Sequence, residues 1–355
     1  MLQRTLILIL FSVALLSLGG CAINPASGLP NLVFMSEDKE INIGKELHQK
    51  IMESMPIYQD PQLQAYVNRI GQTLAKNGDR PALNYTFTII DSPDINAFAL
   101  PGGYIYINRG LMAYLDSEAQ LAAVIAHEIG HVTARHAVKQ DTARKSSGAV
   151  TVLSVLTTGS GMVGDVTHLW GTAAVMGYGR DMELEADSLG AEYLYSSGYS
   201  PNAMIEVIGV LKDHERFARR MARETGQKRP ATYHGVFSTH PRNDERLKEV
   251  VGKAGHLSKK HNPNPAGVDH HAAFREATEG LLYGTNGNPH AGKPAPHNGY
   301  SPHIHYVLAN ERTTFKRLAE VVPLGNFSEE YLRLLNGYYP RGEPSPGEWI
   351  KIVRQ

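Results

Sequence analysis

At 355 residues, with 42% apolar and 20% charged side chains, the chain holds enough apolar material for one large or two modest globular domains and is not a disordered polymer. Thirty-five basic against thirty-five acidic residues give a formal net charge of zero, which removes any global attraction for nucleic acid, so none is expected as a partner. A single cysteine, Cys21, excludes intramolecular disulfides and cysteine-cluster metal sites, so any metal must be held by His, Asp or Glu.

The chain opens on a targeting signal. Met1 to Arg4 carries one positive charge, Leu6 to Leu16 is a nearly unbroken apolar run, and Leu18-Gly19-Gly20 closes it with small residues. At about a dozen residues the run is short of the roughly 20 that a membrane span needs, so residues 1–20 read as a cleaved signal peptide. Leu18-Gly19-Gly20-Cys21 resembles the bacterial lipobox, which implies lipidation of Cys21 and makes residues 21–35 a tether. The alternative is an ordinary secretory signal with an incidental cysteine. Ala22 stands where an aspartate would resemble an inner-membrane retention signal, and this points to the periplasmic face of the outer membrane.

Residues 36–255 alternate helical patterns with a few strand patterns. Tyr85, Phe87 and Ile89 on one face predict a strand over 84–90, and Tyr104 to Ile107 is a second β-rich run, with Pro101-Gly102-Gly103 as a turn between them. Ser117-Glu118-Ala119-Gln120 is a capping box that starts a helix running to Val132. Over 150–179, glycines break an apolar stretch into a loop or short helices. Residues 256–303 shift to His, Pro, Asn and Gly and read as a solvated linker with one helix within 268–282; the histidine spacings there fit no compact metal site. Residues 304–355 follow as strand (304–308), helix (315–321), helix (328–335) and strand (349–353).

The helix after Ser117 is apolar all round except for His127, Glu128 and His131, a composition that predicts burial. Two imidazoles and a carboxylate buried without partners would cost several kcal/mol, so something must satisfy them. His127 and His131 lie four apart, about 40° round the helix, and both can reach one ion, with Glu128 beside them as a base for water. A catalytic zinc wants three protein ligands and an open position. Downstream, Glu183 and Asp187 stand four apart on a second helical pattern. Glu183 can be the third ligand and Asp187 can bond the outer nitrogen of a ligand histidine, or both can sit on an ordinary acidic surface. Glu185 falls roughly 200° round the same helix and reads as solvated.

The run from Asn96 to Ile107, then His127-Glu128-Ile129-Gly130-His131, then Glu183-Leu184-Glu185-Ala186-Asp187, then Ser238-Thr239-His240-Pro241, resembles the HtpX/BepA family of gluzincin proteases, which also includes the CaaX prenyl proteases. The chain is similar to its periplasmic quality-control branch. The resemblance implies one zinc per chain on His127, His131 and Glu183, with Glu128 as catalytic acid/base and Asp187 supporting them, while Arg246 either orients a site carboxylate or only caps a helix. His240 is an oxyanion donor, an inhibitory fourth ligand or a solvated loop histidine. Asn96, Ala97, Phe98, Tyr104 and Tyr106, all in the first motif, are the candidate substrate contacts. Tyr104 to Ile107, if an edge strand, would pair with extended substrate, or it is a plain structural hairpin.

The last fifty residues depart from the tetratricopeptide tail of that branch and are similar to a LysM module, with Asn310-Glu311-Arg312-Thr313 replacing the usual Gly-Asp-Thr. The expected fold is therefore α+β: a mostly helical zincin-like domain with a small sheet, then a small βααβ LysM-like domain. The expected function is a lipid-anchored zinc endopeptidase acting on misfolded or stalled envelope proteins, with peptidoglycan as a possible partner. The rival is a non-catalytic, chaperone-like envelope protein with a closed zinc site.

Overall fold

In the computed structural model, the described residues are 21–23, 30–32, 35–146, 178–226, 246, 248–253, 255, 268–284, 302–322, 324 and 327–354. The expected signal peptide, most of the glycine-rich stretch over 150–179, Ser238 to Pro241 and most of the expected linker lie outside them. Within the expected tether, β1 (Cys21–Ile23) and β2 (Pro30–Leu32) form an antiparallel pair.

Local capping sets where the first helices begin. Ser36 accepts from the Lys39 amide ahead of α1 (Glu37–Ser54), whose first turn holds Glu37, Asp38 and Glu40 at the positive end of the helix dipole. Asp60 accepts from the Gln62 and Leu63 amides ahead of α2 (Pro61–Lys76), which has proline at its first position.

A three-stranded sheet follows, made of β3 (Thr86–Ile90), β4 (Ala97–Leu100) and β5 (Tyr104–Asn108) in the order β3-β5-β4. Strand β5 runs parallel to β3 and antiparallel to β4, so both its edges are paired. Of the two readings of Tyr104 to Ile107, this removes the edge strand and leaves the structural hairpin. The Pro101-Gly102-Gly103 turn, with φ of +80° and +93° at the two glycines, folds β4 onto one side of β5, and β3 takes the other. Strands β3 and β4 are the edges; Ile57 makes an isolated bridge to Ile90 of β3, and no further strand pairs with β4 among the described residues.

The sheet is covered on both faces, as period-2 alternation requires. Tyr106, Ile90 and Leu100 pack with Ile43, Leu47 and Ile51 of α1. On the other face, Ile89, Ile105 and Ile107 share the main core with Leu63, Val67, Ile70 and Leu74 of α2 and with the next long helix. After the short α3 (Arg109–Met112), that helix, α4 (Glu118–Thr133), is buried along its whole length. The Ser117 hydroxyl accepts from the Gln120 amide at 3.1 Å, and the Gln120 side chain reaches back to the Asp116 amide at 2.8 Å. Arg69 and Tyr199 satisfy buried Glu118 at 2.8 and 2.6 Å. Helices α5 (His136–Ser146), α6 (Arg180–Ser196) and α7 (Asn202–Thr225) follow.

The helix expected within 268–282 is α8 (His271–Thr278), and Gly280 at φ +77° turns the chain beyond it. The C-terminal unit pairs β6 (His303–Leu308) with β7 (Trp349–Arg354), with α9 (Phe315–Val321) and α10 (Ser328–Leu335) between them. It is not free of the rest of the chain. Phe217 of α7 packs edge-on against Tyr331 and Tyr339, and Ile304, Phe315 and Leu332 join the main core. Lys351 of β7 is 2% exposed; its Nζ donates to the Ala113 and Leu115 carbonyls at 3.1 and 2.9 Å and pairs with Asp116 Oδ1 at 2.7 Å. The last strand is thus tied to the turn that launches α4. No helix among the described residues is long and apolar enough to cross a membrane.

Candidate metal centre

Two close helix approaches bring the site residues together. A Cβ on Gly130 of α4 would sit 2.9 Å from the Ala186 carbonyl oxygen of α6, and one on Gly190 of α6 would sit 3.1 Å from the His127 amide nitrogen. Backbone meets backbone only because both positions lack a side chain. Side chains one turn apart on each helix then face one another: His127 and His131 from α4, Glu183 and Asp187 from α6.

The His127 and His131 Nε2 atoms are 3.0 Å apart, and they lie 3.6 and 3.5 Å from the Glu183 carboxylate oxygens. His131 is 2% exposed, His127 6% and Glu183 not at all. This donor set fits zinc. At bond lengths of about 2.0–2.2 Å, the edges of a tetrahedron around zinc are roughly 3.3–3.6 Å, close to these separations. Three buried groups whose ligating atoms all lie within 4.8 Å of one another suit a cation between them.

Around the three, Asp187 Oδ1 lies 2.8 Å from His127 Nδ1. Arg246 donates to both Asp187 oxygens at 2.7 Å and stands 3.6 Å from Glu183. Burial alone would raise the Asp187 carboxyl, but the Arg246 guanidinium and His127 outweigh it and hold the group well below the usual carboxylate range. Glu128, 2% exposed, lines a pocket with His127, Arg246 and apolar side chains that include Leu111, Val124 and Met204.

Of the candidate substrate contacts, Asn96 and Ala97 are buried at the start of edge strand β4, and Phe98 is half-buried on it. Tyr104 stacks on His48 at 4.4 Å. Tyr106 is fully buried, with its hydroxyl 2.7 Å from His48 Nδ1, so its side chain belongs to the core beneath α1 and does not face a substrate. His240 lies outside the described residues. The side chain of Cys21 is likewise outside them.

Two residues that the spacing did not single out for the site stand against it. Beyond Thr133 the chain breaks and a second helix opens at His136. Arg135, at φ +56°, breaks the chain between α4 and α5, and its Nε donates to Glu40 at 2.7 Å while its guanidinium also donates to the Met35 carbonyl at 2.8 Å. The break swings His136 back, and its Nδ1 lies 2.8 Å from His131 Nδ1. Glu185, expected in solvent, instead lies 3.0 Å from His136 Nε2 and 3.2 Å from Lys139 Nζ. Burial pushes the His136 imidazole down in pKa, with Glu185 opposing. A five-residue spacing places His131 and His136 on different faces of a continuous helix, so no local signal announced the contact.

Comparison with known proteins follows the same region. The sequence model of peptidase family M48 matches residues 61–254. The chain is similar to the beta-barrel assembly-enhancing protease of Yersinia pestis, at 28% identity over 263 residues that cover 72% of this chain and 51% of that protein. It is 29% identical over 232 residues to the beta-barrel assembly-enhancing protease of Escherichia coli (strain K12), covering 63% and 45%. It is 26% identical over 222 residues to the mitochondrial metalloendopeptidase OMA1 of Schizosaccharomyces pombe, covering 61% of each. The chain spans about half the length of the bacterial relatives it matches.

Proposed function

The chain belongs to peptidase family M48, and on that premise we propose that it is a zinc-dependent endopeptidase cutting misfolded or stalled proteins of the bacterial cell envelope. The observation that carries this reading is the convergence of His127, His131 and Glu183 with the buried Glu128 carboxylate next to them in the chain. Zinc, when bound, supplies Lewis acidity to the scissile carbonyl and acidifies the attacking water. His127, His131 and Glu183 would hold it. Glu128 takes the proton from the attacking water and returns it to the leaving amine. Strand β4, with an open edge among the described residues, pairs with an extended substrate through its backbone amides and carbonyls. Asp187, through His127, keeps the outer ring nitrogen protonated and the inner one free. Arg246 keeps Asp187 ionised and in place.

Casein is the substrate that tests this. Digestion is expected from protein with one zinc per chain, is expected to stop on chelation and to return when zinc is restored. A chain that binds zinc stoichiometrically and leaves casein intact would overturn the reading.

The lipobox-like run before Cys21 supports a lipid anchor on the periplasmic face of the outer membrane. The C-terminal βααβ unit supports docking to peptidoglycan, with Leu308 opposite Trp349 and both about half exposed at the open end of the β6–β7 pair. Cys21→Ser is expected to release the protein from membrane pellets, and the released protein is expected to co-sediment with purified peptidoglycan. A variant that still pellets with membranes rules out lipid as the tether, and sedimentation no better than an unrelated protein removes the glycan role.

A further inference from the structure

We propose that His136 and Glu185 are positioning residues that decide, through a relay across two imidazole rings, which nitrogen of His131 faces the metal. The inference rests on His131 being a ligand and adds what orients it. The two ligand histidines are supported differently. His127 meets a carboxylate directly, with its Nδ1 2.8 Å from Asp187. His131 meets another histidine, Nδ1 to Nδ1 at 2.8 Å, and that ring reaches the Glu185 carboxylate through its Nε2 at 3.0 Å.

The proton positions follow from what each group can do. An ionised carboxylate only accepts, so the hydrogen lies on His136 Nε2. The two Nδ1 atoms, 2.8 Å apart, share one hydrogen; a metal on His131 needs its Nε2 unprotonated, so the shared hydrogen sits on His131 Nδ1 and His136 Nδ1 accepts it. That leaves the His131 Nε2 lone pair facing Glu183 and His127, which is the atom and the protonation state a metal requires. Lys139, donating to the same Glu185 oxygen, keeps the carboxylate at the end of the relay. Tyr178 stacks on the His131 ring at 4.1 Å and 20°, so the ring is held in its plane as well as by its edge. His136 is not at all exposed, and α5 carries it there only because Arg135 takes a left-handed conformation anchored on Glu40.

The test measures zinc dissociation from the full chain by competition with a chelator, with the thermal midpoint of the metal-free protein alongside. His136→Phe keeps the ring volume without an acceptor and is expected to weaken zinc binding about 10- to 100-fold, the usual cost of losing a partner behind a ligand. His136→Asn places an amide oxygen where Nδ1 stood and is expected to restore affinity to within about threefold. Glu185→Gln, whose amide can donate and so reverse the relay, is expected to weaken binding severalfold and serves if His136→Phe does not fold. Zinc affinity within about twofold of the parent in both His136→Phe and Glu185→Gln overturns the proposal. Equal weakening in His136→Phe and His136→Asn with an unchanged thermal midpoint overturns it too, because the acceptor atom would then not matter. His131→Ala is the control for the underlying reading: if it also leaves zinc affinity unchanged, the ligand assignment has failed and not the relay alone.

Discussion

Glu128→Gln is expected to remove proteolysis while zinc stays near one per chain. Glu128 is 2% exposed, beside His127 on the face of α4 that lines the pocket, and on the proposed mechanism it is the group that takes the proton from water. An amide has nearly the same shape and cannot accept that proton. Loss of a positioned base costs about 10² to 10⁴ in rate, and at the upper end casein cleavage disappears into background. Metal content should hold because the donor atoms of His127, His131 and Glu183 are untouched. The fold should hold because glutamine fills the same volume. A casein assay paired with metal analysis checks both halves: cleavage at the parental rate sinks the base assignment, and parallel loss of zinc would make Glu128 part of the metal's support instead.

The largest effect on stability is expected at Arg246. Arg246 is 3% exposed, and its guanidinium makes two 2.7 Å bonds to Asp187 and stands 3.6 Å from Glu183, so it is the buried cation between two buried carboxylates. Arg246→Met fills much of the space and leaves those charges uncompensated, a change that costs about 3–5 kcal/mol when one member of a buried pair is lost. The effect depends on pH with a definite sign. Asp187 has a depressed carboxyl in the folded chain, so the stability it contributes is present above its unfolded value of about 3.9 and is lost as pH falls toward its folded value. The gap between parent and variant in urea unfolding of the metal-free chains should therefore be full at pH 7 and narrow steadily below about pH 4. A gap under about 1 kcal/mol at pH 7, or one that does not narrow in acid, would mean that the pair is not what holds Asp187.

Much of this molecule is local and was legible for that reason. The start of α4 follows from a hydroxyl and an amide three residues apart, and the shared face of His127 and His131 follows from helical pitch. The βααβ order of the C-terminal unit could be read from periodicity and turn residues, with α9 and α10 falling over 315–321 and 328–335 as expected. These outcomes depend on torsions and contacts within about one turn of chain, which any stretch of the sequence carries with it.

Partner choice was decided elsewhere. Whether β4 or β5 lies at the edge depends on which strand β3 joins, and β3 pairs with β5 across an intervening hairpin. Glu185 looked solvated because its angle on α6 was counted from Glu183, but the space it faces is filled by α5, and α5 is placed by Arg135 bonding to Glu40, 95 residues earlier in the chain. Lys351 is buried against carbonyls more than 230 residues away. The sequence by itself determined where the helices begin and which donors share a helical face, because those are short-range matters of capping and pitch. Which edge stays open, what stands behind each ligand histidine and how the last strand is docked were decided only in the tertiary structure, where groups far apart in the chain satisfy one another's charge and hydrogen bonds.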